Sequence, residues 1–358
     1  MSIIVYILII ILLFYFYINF KNNKQIIGGK KTNNKLFILI KVLLQCCKKL
    51  NLKYNLIDSN NIHIFHKNKV LKFRYAYSNI NKNICKEITC NKTSINTILK
   101  NNNIKVPKHQ VFNVVNSTTY INKIINSNKI KYPLVVKPID SSGGNKVFVN
   151  IKNNLELKNI LTKYYLNKII PHSKTHKIML EEYIKGTEYR ILCYDNIILD
   201  VVKRTPGYII GNGINTIEEL INIKNKTNQY HKKHPLKLHK HHLNQMQLNT
   251  NSILKLNQKI NPHYIGTITY GGYLERTPIQ KVHKDNINMF KEINKILGLK
   301  ICGIDVLIDD IGISYKNQIC GINEVNSNPS ILNSYYADQK YSIDIPLQLL
   351  KLYFNINN

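Results

Sequence analysis

The chain has 358 residues, with 51 Lys and Arg against 20 Asp and Glu and a net charge of +31, long enough for two or three domains with a sizeable core. Lys, Asn and Ile are spread from end to end, as an AT-rich coding bias produces, and no basic block is interleaved with aromatic residues, so no specific nucleic-acid partner is expected. Seven cysteines, an odd number with no CxxC pair, argue against a disulfide framework or a zinc site.

Ser2 to Phe20 is uncharged and almost wholly apolar, and Lys21, Lys24, Lys30 and Lys31 follow it. About 20 such residues span a bilayer. There is no basic start or small-residue cleavage site, so residues 1–20 read as a membrane anchor and 21–34 as a linker. The positive flank predicts a cytoplasmic location for the rest. Residues 35–90 read as a small α/β unit: a helix from Lys35 to Leu50, then short strands at Leu56-Ile57, Ile62–Phe65 and Val70–Phe73.

A helix is predicted from Asn91 to Asn101. Lys131 to Pro138 follows as a buried strand that carries Lys137. The loop Ser141-Ser142-Gly143-Gly144-Asn145-Lys146 separates it from a returning strand, Val147–Ile151. Its backbone N–H groups can cover phosphates, although it is not a GxxxxGK[ST] loop. Lys177 to Tyr183 is another apolar strand, and Glu188–Tyr194 with Ile197–Arg204 forms a hairpin about Asp195-Asn196. Asn215-Thr216 can cap a helix from Ile217, and the His-rich stretch Lys224–Gln258 reads as a solvated helical insertion. Asn286–Leu297 is an amphipathic helix with Ile287, Phe290, Ile293 and Leu297 inward, and Ile343–Phe354 is a closing helix.

The stretch Lys300–Pro329 carries the clearest chemistry. It reads as two strands. Gly303, Asp305 and Leu307 share one face of the first, and Glu324 and Asn326 share a face of the second, because strand side chains alternate. Pairing of these strands would bring Asp305, Glu324 and Asn326 into one oxygen-rich cluster. Such a set suits a hard cation like Mg²⁺, which takes one or two carboxylates plus substrate phosphates.

The order Lys92, VVKP, Gly loop, LEEYIKGTEYR, KRTPGYIIGNGINTIEELI, GG, GLKICGIDV, EVNSNP resembles the ATP-grasp superfamily. It is most like the ATP-grasp half of cyanophycin synthetases and of bifunctional glutamate–cysteine ligase/glutathione synthetases. The resemblance implies an α+β ATP-grasp fold over residues 91–357, with two antiparallel-sheet subdomains clasping ATP behind the smaller unit. It implies an ATP- and Mg²⁺-dependent carboxylate–amine ligase that works through an acyl phosphate on an amino acid or small peptide, with one or two metal ions and Mn²⁺ as an alternative. By the same resemblance Lys92 and Lys137 contact phosphates, and Ser141, Ser142, Gly143 and Gly144 close over them. Glu181, Glu182, Tyr183 and Ile184 form the hinge that reads adenine, and Glu188 accepts from the ribose. Asp305, Glu324 and Asn326 hold the metal, Arg204 steadies the acyl phosphate or oxyanion, and Lys137 shares the catalytic work.

Four departures lie on the acceptor side. The family's GDG is Gly211-Asn212-Gly213, the Arg-containing segment before the Gly pair is shortened to 266–272, the Asp after that pair is best matched by Glu275, and the expected His falls at Asn333 or a neighbour. A second reading therefore stands beside the ligase: a degenerate relative that binds nucleotide at the membrane without joining anything.

Overall fold

The computed structural model describes residues 36–83, 89, 91–113, 117–139, 146–166, 177–337 and 342–356. The proposed anchor Ser2–Phe20, the linker 21–34 and the loop residues Ser141, Ser142, Gly143 and Gly144 lie outside the described residues. Among the described residues no helix is long and apolar enough to cross a membrane.

Contacts divide the chain into two units, one running to Asn79 and resuming at Pro346, the other from Ile80 to Ile345. In the first, α1 (Ile38–Lys49) buries Leu39, Ile40, Val42, Leu43, Cys46 and Cys47. Strands β1 (Lys53–Leu56), β2 (Asn61–His66), β3 (Lys69–Arg74) and β4 (Tyr77–Ser78) form an antiparallel sheet in chain order. Ile62 faces Phe73 and Ile64 faces Leu71 across β2 and β3, which gives that sheet its buried face. The end of the chain returns to this unit: Lys69 Nζ donates to the Tyr353 carbonyl at 2.9 Å, and the Tyr353 hydroxyl donates to the Val70 carbonyl at 3.0 Å. The expected boundaries at residues 90 and 357 did not anticipate this return.

The second unit contains two larger antiparallel sheets and a two-stranded ribbon. One sheet has the order β5-β8-β6-β7, from β5 (His109–Asn113), β6 (Leu134–Pro138), β7 (Phe148–Ile151) and β8 (Lys177–Glu182). Its inner face, Leu134, Val136, Ile151, Ile178 and Leu180, packs on Ile121 and Ile124 of one helix and Leu157, Ile160 and Leu161 of another. These helices follow α2 (Lys92–Asn101) as α3 (Thr118–Ser127) and α4 (Asn154–Leu166). Alternation sends Val135 and Lys137 to the opposite face.

The other sheet has the order β13-β10-β9-β14-β15. Its strands are β9 (Thr187–Tyr194), β10 (Ile197–Thr205), β13 (Tyr273–Arg276), β14 (Ile301–Ile308) and β15 (Cys320–Asn326). Ile191, Cys193, Ile304, Val306, Ile322 and Val325 meet Met289, Phe290 and Ile293 of the long helix Lys284–Ile296, together with Ile95 and Leu99 of α2. The sheet's apolar face is thus sealed, and its polar face is left to chemistry.

Between β10 and β13 lies the region expected to be solvated. It is instead a packed module. Its elements are the ribbon β11 (Ile209–Ile210) with β12 (Lys259–Ile260), and helices α5 (Ile217–Thr227), α6 (Gln229–Lys233) and α7 (Lys240–Gln245). Thr216 and Glu219 close a reciprocal capping box at the start of α5. Ile209, Ile217, Ile221, Leu236, Leu243, Leu254 and Ile260 form a core of their own. His231 is fully buried, bonded through one ring nitrogen to the His234 carbonyl (3.0 Å) and through the other to the Tyr273 hydroxyl (2.9 Å). A neutral imidazole is a flat ring with one donor and one acceptor and packs readily, so reading this stretch as a solvated insertion misjudged it.

The module carries a pH dependence. Burial, reinforced by neighbouring histidines, pushes His239 down to about 4 and His263 to about 3. Both folded values lie below the unfolded value of about 6.5. Their contribution is therefore whole above pH 6.5 and is lost as pH falls toward the folded values, because the unfolded chain takes up protons first. At pH 5 each group has lost about 2 kcal/mol. Calorimetry should show a melting temperature about 10 °C lower at pH 5 than at pH 7.5, at about 2–4 °C per kcal/mol. His263→Phe, which keeps the ring stacked 4.1 Å from Tyr270, should flatten part of that slope.

Candidate active site

Residues directly opposite in an antiparallel ladder share a face. On the central sheet Arg204 lies opposite Glu188, Arg190 opposite Asp305, Asp305 opposite Glu324, and Gly303 opposite Asn326. Four strands therefore deliver Arg204, Glu188, Arg190, Asp305, Glu324 and Asn326 to one polar face. The expected pairing of the two strands in 300–329 is present, with Asp305 and Glu324 in register.

The charges are tightly interlocked. Arg190 grips Asp305 with two nitrogens, Nη2 donating to Oδ2 at 2.8 Å and Nε lying 2.6 Å from Oδ1. Arg204 Nη1 lies 3.2 Å from Asp305 Oδ1 and donates to Glu188 Oε1 at 2.6 Å. Burial pushes the Asp305 carboxyl up to about 6, against the pull of the two arginines. Arg190 is thus neither exposed nor a surface ion-pair partner, and the sequence reading left it out of the site. The missing signal was register: Arg190 and Asp305 are 115 residues apart.

Gly303 makes room for this arrangement. A Cβ there would lie 2.4 Å from Arg190 Nη1 and 2.8 Å from Pro329 Cβ. Gly303→Ala should displace the guanidinium and lower the melting temperature by about 2–12 °C, from about 1–3 kcal/mol of overpacking at about 2–4 °C per kcal/mol. In a thermal-melt cycle the double variant Gly303→Ala/Arg190→Ala should lose less than the sum of the two single losses, the contact with Pro329 being what remains. Additive losses would show that Gly303 serves something else.

The second sheet presents Lys137. Its Nζ lies 2.5 Å from Glu181 Oε2 and donates to Asn323 Oδ1 at 3.1 Å. Val135 is paired with Glu181 and Lys137 with Met179, so Lys137 and Glu181 share a face. Asn323 sits where the β14–β15 register shifts between Asp305 and Val306, and a bulge of this kind re-aims a side chain. Lys92 opens α2, whose cap is Asn91, and its Nζ lies 3.7 Å from Glu324 Oε1. Burial lowers the Lys92 pKa, Glu324 opposes the shift, and Lys137 adds to it.

The hinge Glu181–Ile184 contributes more than backbone. The N–H groups of Glu182 and Tyr183 are spent on the Lys108 and Pro133 carbonyls. The Ile184 N–H has no backbone partner among the described residues. Glu181 Oε1 is buried and has no hydrogen-bond partner there either. A free donor beside a free acceptor is the complement that an adenine edge, with its ring nitrogen and amino group, requires.

The metal set fits less simply. No group of three or more His, Cys, Asp or Glu is placed to hold a metal among the described residues. The set here is two carboxylates and an amide, the composition Mg²⁺ accepts when phosphates complete its shell. Glu324 and Asn326 are half-buried and reachable, whereas both oxygens of Asp305 face arginines.

Two further supports escaped the sequence reading. Asn81 fixes the start of β14 and the exit of β15: its amide donates to the Ile301 carbonyl (2.7 Å) and the Ser327 carbonyl (2.6 Å), and its oxygen accepts from Lys300 N (2.7 Å) and Ile301 N (3.1 Å). Gly266 packs on the backbone that carries Arg204, where a Cβ would lie 2.8 Å from the Arg204 carbonyl carbon. Glu275 pairs with Lys203, so it lies on the sheet face opposite Arg204. It does not take the place of the expected acceptor-side Asp.

Two antiparallel sheets, Lys137 on one and a carboxylate–arginine ladder on the other, with Lys92 at the start of α2, have the arrangement of an ATP-grasp fold. The profile of the RimK-like ATP-grasp domain matches residues 89–206. The chain is similar to the cyanophycin synthetase of Crocosphaera subtropica, 27% identical over 295 residues, 79% of this chain and 32% of that protein. It is also similar to the glutathione biosynthesis bifunctional protein GshAB of Clostridium perfringens, 29% identical over 250 residues, 67% of this chain and 31% of that protein. The chain thus spans about a third of the length of the curated relatives it matches. Among solved structures, a bifunctional glutathione synthetase from Pasteurella multocida shares the fold, with a TM-score of 0.57, 20% identity, and coverage of 89% of this chain and 43% of that one.

Proposed function

We propose that the protein is an ATP- and Mg²⁺-dependent ligase that joins the carboxylate of an amino acid or small peptide to an amine. The observation that carries this reading is the ladder Arg204–Glu188, Arg190–Asp305–Glu324 across four strands, beside Lys137 and Lys92. Phosphoryl transfer needs little covalent chemistry from a protein and much positioning and charge stabilisation. A divalent ion held by Glu324 and Asn326, and by Asp305 once an arginine releases it, would supply Lewis-acid stabilisation of the phosphates.

The chain's own groups supply the rest. Ile184 N–H and Glu181 Oε1 orient the base. Lys92 and Lys137 draw the γ-phosphate toward the substrate carboxylate, whose oxygen attacks phosphorus as the bond to ADP breaks. Arg204, held by Glu188 and Asp305, meets the negative charge that develops on the carbonyl oxygen when the amine nitrogen attacks. Collapse expels inorganic phosphate, and the nitrogen gives up a proton.

One observation favours a second reading. Glu275 lies on the face away from Arg204, so it does not supply the acid expected on the acceptor side, as in a degenerate nucleotide binder. Phosphate release from Mg-ATP by the full chain separates the two. The ligase gives release that depends on an added amino-acid or dipeptide pool, and dividing the pool identifies the substrates. Saturable ATP binding without pool-dependent release leaves the degenerate binder.

We also propose that Ser2–Phe20 anchors the chain in a membrane with the ligase domain on the cytoplasmic side, on the strength of its uncharged apolar run and basic flank. Alkaline carbonate extraction tests this: the full chain should stay with the membrane pellet, and a chain lacking residues 1–20 should not.

A further inference from the structure

The ladder and its lysines make no use of the first unit. Register divides the residues of its sheet, β1 to β4, between two faces. Ile62, Ile64, Leu71 and Phe73 are buried on one of them. The closing helix Asp344–Phe354 packs on that face, with the Phe354 ring 5.9 Å from that of His66. The other face is built differently. Lys53 lies opposite Phe65, His63 opposite Lys72, and Arg74 opposite Tyr77. Lys53, Lys72, Arg74 and Tyr77 are exposed, and Phe65 is only half-buried.

Little offsets the charge of this open face. Residues 36–79 hold eight Lys and Arg and a single acid, Asp58. Asp58 accepts from the Asn60 N–H at 2.7 Å and from the Asn61 amide. These bonds do most to hold its carboxyl below its ordinary value, and Arg74 does least. Lys53, Lys72 and Arg74 form no ion pair among the described residues. Their field reaches the ring between them: burial, and then Lys72, lowers the His63 pKa.

We propose that this face, with Lys53, Lys72, Arg74 and Tyr77, docks on the acidic lipid headgroups of the membrane that Ser2–Phe20 enters. The proposal rests on the anchor reading and adds to it the face that meets the bilayer. Charge and tether both point to this occupant. An acidic leaflet attracts Lys and Arg that come within a Debye length of it. A tyrosine suits the headgroup level, where its ring is apolar and its hydroxyl stays wet. The unit also begins close behind the apolar run: the chain from Phe20 to Leu36 spans at most about 55 Å. A tether of that reach keeps the face near the surface, so a few charges suffice to orient it. A nucleic acid fits less well. Single strands stack on several exposed rings, and on this face Tyr77, 65% exposed, is the one such ring among the described residues.

The chain has no Trp, so Tyr77→Trp gives the full chain a single indole on this face. The variant is mixed with vesicles of phosphatidylcholine, and with vesicles of phosphatidylcholine and phosphatidylglycerol. Flotation reports attachment, and quenching of the indole by brominated acyl chains reports contact with the bilayer. The chain should float with both kinds through its anchor. The indole should shift to the blue and be quenched on the acidic vesicles alone. Each Lys or Arg near an acidic leaflet favours docking about fivefold, so adding Lys72→Gln/Arg74→Gln should lower the docked-to-free ratio about 25-fold, and high salt should act alike. Both positions are exposed, and Lys72→Gln alone should give about a fivefold loss if the double variant does not fold. No quenching on acidic vesicles, equal quenching on phosphatidylcholine, or quenching unchanged by these substitutions would overturn the proposal. So would an equal blue shift with a single-stranded oligonucleotide in place of vesicles, which would give the face to nucleic acid. Failure to float with phosphatidylcholine, with quenching kept on acidic vesicles, would retain the docking face and remove the anchor reading instead.

Discussion

Replacing Glu324 by Ala is expected to reduce pool-dependent phosphate release about 10³-fold while hardly changing stability, the scale seen when one preorganised electrostatic contact is removed from a transition state. The two effects separate because of where Glu324 sits. Its side chain is 30% exposed and its ion pair with Lys92 is 3.7 Å long. Such a pair is worth at most about 1 kcal/mol. Yet Glu324 stands opposite Asp305 on the ladder and 3.7 Å from Lys92, where the proposed metal ion and transferring phosphoryl group would meet it. Parallel melts and ADP-release assays on Glu324→Ala and Glu324→Gln check this. A variant that keeps more than a tenth of the parental rate would remove Glu324 from the catalytic set.

Arg190→Leu should do the reverse and strike stability hardest. Asp305 is 3% exposed, and Arg190 covers it with two nitrogens. Removing one partner of a buried pair leaves a charge without compensation and costs about 3–5 kcal/mol. Arg204, 3.2 Å from Asp305, offsets part of that loss. The expected fall in melting temperature is about 10 °C, at about 2–4 °C per kcal/mol. The double variant Arg190→Leu/Asp305→Asn should regain several degrees, because the orphaned carboxylate charge is gone. A single variant that melts within about 2 °C of the parent, or a double variant that melts lower than the single, would show that the pair is not what holds this face together.

The strands of the site were readable because the period-2 pattern is local. Spacing put Glu324 and Asn326 on one face, and the expected pairing of the two strands, which the ladder bears out, joined Asp305 to them. Lys137 stood out as a charge inside an apolar run, whereas Lys92 was marked only by the family resemblance, and its place behind the capping Asn91 came from the structure. Other features had no such local signal. The Glu181 side chain looked like one of several carboxylates at a strand end, yet it is the ion-pair partner of Lys137. Asn81 resembles many other asparagines in this Asn-rich chain until β14 and the exit of β15 are brought to it. The histidines between 231 and 242 looked solvated because their types are polar, and only their packing against Tyr264, Tyr273 and Leu-lined helices makes them neutral rings.

By itself the sequence determined which residues alternate, where helices begin and end, and which carboxylates and amides share a strand face, since all of these depend on neighbours a few residues away. Tertiary structure alone decided that Arg190 closes on Asp305, that Asn323 turns to Lys137, that Lys53 joins Lys72 and Arg74 on one sheet face, and that the last helix joins the first unit. The physical reason is range. Register between distant strands is set by burying a whole sheet face at once, and a charge's partner is settled only when burial removes water as the alternative.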